Sequence, residues 1–133
     1  MRLTRAGEYG IRCVLYMASK GQEAIVNRKE IASEMEIPDQ FLSKIAQQLA
    51  RAGIIEIKQG PKGGLRMLKS PANISLLEVI EAVIGEIFLN DCILNPKICG
   101  RSPICNVHAV WDKARRQLRD ILQKADMASL VDQ

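Results

Sequence analysis

The sequence predicts a mainly α-helical protein with one small β-hairpin, and three observations lead to this fold class. Hydrophobic residues make up 47% of the 133 residues and aromatic residues only 4%, which leaves the core to aliphatic side chains. Apolar residues recur at helical spacing along most of the chain, whereas two short β-prone runs flank a glycine-rich turn. Three helices followed by a hairpin form the order of a winged helix-turn-helix, and a long helix follows them.

The first two helices are predicted from their N-terminal signals. Thr4 can cap a helix that runs to about Lys20. Asn27 and Glu30 stand three positions apart, as in a capping box, and predict a second helix over 28–36.

Pro38 suits the first turn of a third helix, which should end before Gly53. The β-prone runs at 54–58 and 65–69 enclose the turn at 60–64, and together they predict the hairpin.

The second half of the chain begins with another capping box, Ser75 and Glu78, which opens a fourth helix that Gly85 should end. Residues 86–105 are irregular, and residues 106–125 are helical again.

Three regions follow from these elements. We expect a winged helix-turn-helix DNA-binding domain at 1–85, a cluster-binding loop at 86–105, and a dimerisation helix and tail at 106–133. One further helical turn is expected within 127–133.

The charge is uneven along the chain. Residues 1–70 hold 12 Lys and Arg against 7 Asp and Glu, whereas residues 71–133 hold 7 against 8. The basic half therefore favours a polyanionic partner such as DNA, although ordinary surface charge is the simpler interpretation. We expect a cytoplasmic protein without a membrane span, because no apolar run approaches the necessary length. In a reducing compartment the four cysteines are expected to be free thiols or metal ligands.

The third helix has one apolar and one polar side. Its apolar side holds Phe41, Leu42, Ile45, Leu49 and Ala52. Its polar side, called here the recognition face, holds Gln40, Ser43, Lys44, Gln47 and Arg51. The recognition face has hydrogen-bond donors and no acid, which suits the major groove. Gln40, Ser43 and Lys44 lie near the helix N-terminus and are the predicted base readers, while Arg51 is expected to meet phosphate. The alternative is a solvated amphipathic face.

The hairpin favours the DNA-binding interpretation of that face. It supplies Lys58, Lys62 and Arg66 around flexible glycines, and such a loop can follow the backbone or enter the minor groove. Arg28 and Gln59 complete the predicted set of DNA contacts.

Three cysteines, Cys92, Cys99 and Cys105, fall within the irregular region, and His108 follows. Cys105 and His108 would lie about one helical turn apart, so they could face the same metal. The Cys-x-x-Cys pair of common zinc sites is absent, and the wide spacing suits a cluster larger than one ion. Incidental thiols or a single zinc ion are the alternatives. Cys13, on the apolar side of the first helix, is expected in the core.

The C-terminal helix carries an apolar seam of heptad spacing, which predicts a homodimer. The seam consists of Val107, Trp111, Ala114, Leu118, Ile121 and Ala125. Packing against the chain's own first domain is the alternative. A two-fold dimer would present two reading heads to two half-sites.

Several motifs together resemble a known family, the iron–sulfur winged-helix regulators of the IscR, NsrR and RirA type. The resemblance covers essentially the whole chain. It rests on Met1-Arg2-Leu3-Thr4, Gly7-Glu8-Tyr9, Phe41-Leu42-Ser43-Lys44-Ile45, Arg51-Ala52-Gly53, Gly60-Pro61-Lys62-Gly63-Gly64, the three cysteines, and His108-Ala109-Val110-Trp111.

The resemblance implies a homodimer that binds promoter DNA as a regulator, chiefly a repressor, and responds to iron–sulfur status, oxidants or nitric oxide. It implies that the three cysteines are ligands of a cluster, with [2Fe–2S] favoured over [4Fe–4S]. His108 matches the fourth ligand of the IscR branch, and Glu8 matches a carboxylate ligand of other branches. The first cysteine gap is one residue longer than in IscR. Gln59 and Ser43 replace, respectively, an arginine and an acid that are typical of IscR.

Two other functions are alternatives to this one. One is a cluster-free regulator of the same fold, dependent on thiols or zinc. The other is a cluster carrier or redox enzyme, which lacks a nucleophile–base pair, a phosphate loop or a substrate motif. The sequence therefore predicts a regulator and no enzyme.

Overall fold

The computed structural model describes residues 3–87 and 106–131, which form helices around one antiparallel hairpin. The elements are α1 (Arg5–Lys20), α2 (Arg28–Glu34), α3 (Asp39–Arg51), β1 (Ile55–Lys58), β2 (Gly64–Met67), α4 (Leu76–Ile84), α5 (Asn106–Lys124) and α6 (Met127–Val131). A 3-10 turn, Pro71–Asn73, precedes α4. The predicted fold class, mainly α with a small hairpin, is confirmed. No helix in these ranges has both the length and the apolar character needed to cross a bilayer.

Helix α1 begins and ends where the sequence predicts. The Thr4 side chain accepts a hydrogen bond from the Gly7 amide at 3.2 Å. Gly21 follows the helix with a φ of +99°, a conformation that glycine adopts at little cost. The buried face includes Cys13 and Met17, so the predicted core position of Cys13 is confirmed.

The second helix is capped differently from the prediction. The Asn27 side chain accepts a hydrogen bond from the Lys29 amide at 2.7 Å. The second bond of a capping box, from the Asn27 amide to the Glu30 carboxylate, is not formed. The Glu30 carboxylate accepts instead from the Tyr16 hydroxyl, which ties α2 to α1. This bond raises the pKa of Tyr16 to about 12, because the hydroxyl proton is held by an anion.

Helix α2 also ends two residues earlier than predicted. Glu36 has a φ of +54°, in the left-handed region that a helix cannot continue through. Pro38 then stands at the N-cap of α3, just ahead of its first turn. This tight connection sets α3 against the core.

The hairpin pairs Ile55 with Met67 at one end and Lys58 with Gly64 at the other. Val26, ahead of α2, adds an isolated bridge to Leu65 through two hydrogen bonds of 2.8 Å. A Cβ at Gly64 would lie 2.4 Å from the Val26 carbonyl oxygen, so only glycine permits this approach. The hairpin is therefore held to the α1–α2 connection.

Helix α4 starts at a cap that is half of the predicted box. The Ser75 hydroxyl accepts from the Glu78 amide at 3.0 Å, while the Glu78 carboxylate pairs with Lys69. Gly85, with a φ of +86°, ends the helix as predicted.

Most of the buried side chains form one core between α1, α3, α4 and the hairpin. Met127 of α6 is fully buried in this core, so the tail packs into the same body as the first helices. A second, smaller cluster joins α4 to α5, with Leu77, Ile80 and Ile87 buried and Leu118 half-buried against them.

Candidate nucleic-acid interface

The recognition face of α3 is displayed on a helix whose other side is fixed in the core. Leu42, Ile45 and Leu49 are each at most 1% exposed. Within the recognition face, Ser43 is half-buried. The other four members are exposed: Gln40, Lys44, Gln47 and Arg51. The structure thus brings the predicted readers together on one side.

The apolar side of α3 differs from the prediction at both ends. Phe41 is 47% exposed, and its ring makes a tilted contact with the ring of Tyr9 at a centroid distance of 5.8 Å. Ala52 is exposed at the C-cap, and Ala46 is the alanine that the core covers. The helical period predicts on which side of α3 a residue lies. It does not predict burial at the two ends, because α3 extends past the elements that bury its middle.

One polar side chain of α3 points inward and was missed from the sequence. Gln48 donates from Nε2 to the Val83 carbonyl oxygen of α4 at 3.2 Å. This bond links the recognition helix directly to α4.

The wing, residues 55–67, places Lys62 and Gln59 in solvent at its tip. A Cβ at Gly63 would lie 2.1 Å from the Lys58 carbonyl oxygen, which makes glycine necessary for the tight turn. The shape of the tip is thus a consequence of its glycines.

Arg28 lies beside the wing, as a DNA-contacting set requires. A cleft of about 280 Å³ separates the start of α2 from the hairpin, and Arg28, Lys58 and Gln59 all line it. Lys29 lines the same cleft and was missed from the sequence, although its place next to the Asn27 cap could have indicated it. The cleft adds positive charge to the same interface.

Two predicted wing cations are not free. The Glu56 carboxylate lies 3.1 Å from Lys58 Nζ and 2.5 Å from Arg66 Nη2. Glu56 was not singled out in the sequence, although its alternation with Lys58 places both on one face of β1. The wing therefore carries an internal counter-charge.

The predicted cluster ligands are only partly described. Cys92, Cys99 and Cys105 lie outside the described residues. His108 is half-buried in the first turn of α5, and Glu8 is exposed in the first turn of α1.

Hydrogen bonds hold Ile87, which directly precedes residues 88–105, called here the cysteine-bearing segment. The Ile87 amide donates to the Glu81 carboxylate at 3.2 Å, and its carbonyl oxygen accepts from Arg115 Nε at 2.7 Å. Arg119 donates to the same Glu81 carboxylate. Residues of α4 and α5 thus hold the chain at the point where it enters residues 88–105.

The apolar seam of α5 is divided between two environments. Val107 is 54% exposed, Trp111 40% and Ile121 67%, whereas Ala114 and Leu118 are half-buried. Leu118 packs against the chain's own α4 cluster, so it serves the monomer as well. Val110, outside the predicted seam, is 62% exposed and extends the apolar surface.

The buried thiol of Cys13 has no part in this surface. Burial raises its pKa to about 12, because the interior does not solvate a thiolate.

Comparison with known proteins identifies the family. The model of the Rrf2 family, described as an iron-dependent transcriptional regulator, matches residues 3–133. The HTH-type transcriptional regulator NsrR of Bacillus licheniformis is 31% identical over 132 residues, which cover 98% of this chain and 92% of that protein. The protein aau3 of Rhizobium meliloti is also 31% identical over 132 residues, with coverages of 98% and 85%.

Solved structures show the same fold. CymR, the global cysteine regulator of B. subtilis, superposes with a TM-score of 0.80 at 19% identity, covering 99% of this chain and 97% of that one. IscR of T. potens superposes with a TM-score of 0.78 at 19% identity, covering 99% and 87%. The chain therefore belongs to the Rrf2 family and is a DNA-binding transcriptional regulator with a winged helix-turn-helix fold, not an enzyme.

Proposed function

We propose that this regulator is a homodimeric repressor whose affinity for promoter DNA is set by an iron–sulfur cluster. The observation that carries the proposal is how Ile87, the residue that precedes the cysteines' stretch 88–105, is held. Its backbone is hydrogen-bonded to Glu81 of α4 and to Arg115 of α5, and α4 is bonded to α3 through Gln48.

The DNA contacts follow from the exposed side chains. Gln40, Ser43 and Lys44 at the N-terminal end of α3 are proposed to read base edges in the major groove. Arg51, Arg28 and Lys62 are proposed to meet phosphates on either side, and Gln59 approaches the minor groove from the wing. Lys58 and Arg66 are proposed to contact DNA as well, once their ion pairs with Glu56 are broken.

The donor set fits a cluster. Three thiolates and one imidazole are ligands that iron accepts. The three cysteines lie between two helices that pack on each other, and His108 lies in the first turn of the second of these helices. We assign Cys92, Cys99, Cys105 and His108 as the ligands of a [2Fe–2S] cluster, in preference to [4Fe–4S]. Glu8 is the rival to His108. A bound cluster supplies a group that iron limitation, oxidants or nitric oxide can remove.

The chain's own residues offer a route from that segment to DNA. Helix α4 carries Glu81, which holds Ile87, and Val83, whose carbonyl oxygen accepts from Gln48 of α3. A displacement at residue 87 would therefore reach the recognition helix through one short, rigid helix. We propose that the cysteine-bearing segment alters operator affinity through such a displacement.

The homodimer is proposed from the exposed apolar surface of α5. Val107, Val110, Trp111 and Ile121 are all at least 40% exposed in the single chain. A second copy of the same helix, crossing it about a two-fold axis, would cover them.

Anaerobic purification, followed by absorption spectroscopy and native mass spectrometry, tests the cluster and the dimer together. We expect a coloured protein whose mass equals two chains with two clusters. Cys→Ala at 92, 99 or 105 should give colourless dimers, and His108→Ala a labile cluster. If the His108→Ala protein is stable and coloured while the Glu8→Ala protein is colourless, Glu8 rather than His108 is the fourth ligand of the cluster.

The alternative is a cluster-free regulator dependent on thiols or zinc. CymR, which has the same fold at 19% identity, is the global cysteine regulator of B. subtilis. A colourless wild-type protein whose DNA binding still responds to a thiol oxidant or to zinc would favour this function.

A further inference from the structure

The outer face of the wing holds one carboxylate between two cations. Glu56 and Arg66 are directly opposite in the β1–β2 register, and Lys58 follows two residues after Glu56 on the same face. The Oε1 atom of Glu56 is excluded from solvent and lies within 3.1 Å of both cations. This cluster is built into the hairpin.

The pairing changes what these cations can contribute to DNA binding. Lys58 and Arg66 have side chains 45% and 33% exposed, so both can be reached from outside. A phosphate that contacts either cation must compete with Glu56 or accept its repulsion. Lys62, at the exposed tip, has no such neighbour among the ion pairs of the described residues.

We propose that Glu56 competes with DNA phosphate for the wing cations and thereby lowers the affinity of the protein for DNA of any sequence. This inference rests on the wing contact proposed above.

The reason is that phosphates are the same in every sequence. Non-specific affinity comes essentially from phosphate contacts, whereas operator affinity also includes base contacts by α3. A carboxylate that lowers the phosphate contribution therefore weakens the operator and the non-operator complex by about the same factor. The ratio of the two affinities stays about the same, while the absolute affinity for both falls.

Glu56→Gln keeps the shape and an acceptor oxygen while it removes the charge. Glu78→Gln is the matched control, because Glu78 is also paired with a lysine and has a side chain 29% exposed, against 28% for Glu56. Binding of both variants and the wild type is measured by fluorescence anisotropy against an operator selected from a random library and against scrambled DNA, over a range of salt concentrations.

We expect Glu56→Gln to bind scrambled DNA about three- to tenfold more tightly at low salt, with a salt slope steeper by about 0.9. Operator affinity should rise by a similar factor, and Glu78→Gln should behave as the wild type. Weaker binding to both DNAs would overturn the proposal, since Glu56 would then act by positioning its cations. Unchanged scrambled-DNA affinity would overturn it as well.

A second set of variants separates this inference from the wing contact itself. Adding Lys58→Met and Arg66→Met to Glu56→Gln should abolish the gain, and a gain that persisted would contradict the assignment. If Lys62→Ala leaves the affinity of the wild type unchanged, the wing does not touch DNA. Should Glu56→Gln not fold, as judged by circular dichroism, Glu56→Thr gives the same charge change with a residue that favours strands.

Discussion

Helices α3 and α5 are both amphipathic, but they display opposite sides. Helix α3 buries Leu42, Ile45 and Leu49 and leaves its polar face to solvent. Helix α5 has 19 residues and no fully buried one, and it exposes Val107, Trp111 and Ile121. Periodicity thus identifies the polar and the apolar face of a helix. It does not predict whether the apolar face is buried, because that depends on which other elements pack against it.

This difference assigns the two helices different partners. An exposed polar face without acids suits a polyanion, and an exposed apolar face suits another apolar surface. The comparison can be tested by placing one charge on each helix surface and observing which property changes.

The largest effect is expected at Ile121. Replacement with Asp would bury a charge in the proposed dimer seam at a cost of several kcal/mol, and the protein should become monomeric while staying folded. Sedimentation reports the mass and circular dichroism the fold. Gln117→Asp, which adds the same charge to an exposed site on α5, is the control and should remain dimeric. A dimeric Ile121→Asp protein would place the interface elsewhere.

The next effect concerns the tail. Met127 is fully buried in the main core, so Met127→Ala should lower the free energy of unfolding by about 2–5 kcal/mol in urea titration. Ser129→Ala, at an exposed site in the same helix, should change it far less. A loss below about 1 kcal/mol would show that the tail does not stabilise the domain.

The fold of residues 3–85 could be predicted well from the sequence because its signals are local. Caps at Thr4, Asn27 and Ser75 fix where helices start, and Gly85 fixes an end. The wing follows from its glycines. Such features depend on near neighbours in the chain.

Contacts between distant elements could not be predicted in this way. Glu30 bonds to Tyr16 rather than to its own helix end, and Leu118 packs on α4 although its heptad position predicts a partner chain. Glu56 neutralises wing cations because strand register brings it opposite Arg66. The sequence gives each residue's type, but only the packing selects its partner.

A smaller effect distinguishes phosphate contact from base reading at the proposed DNA interface. Lys62→Ala should weaken binding to all sequences alike and reduce the salt slope by about 1, whereas Gln40→Ala should relax preference at particular bases. Competition binding with single-base operator variants measures both. A change of base preference in Lys62→Ala with an unchanged salt slope would reverse the two roles.

The smallest effect is expected at Cys13. Its burial and its pKa of about 12 keep the thiol protonated at neutral pH, so a thiolate-specific reagent should not modify it in the folded protein. Cys13→Ala should therefore react with the same number of reagent equivalents as the wild type when folded, and with one fewer in denaturant. A lower count for folded Cys13→Ala would mean that the core opens at α1.

The most direct test of the account is the operator affinity of one protein preparation before and after anaerobic removal of its cluster. We expect at least about a fivefold change in Kd, the scale of a coupling between two sites. Cys99→Ala should show the stripped-protein value in both conditions. Equal affinities of the loaded and stripped wild type would contradict control by a cluster, even if the protein is coloured and dimeric.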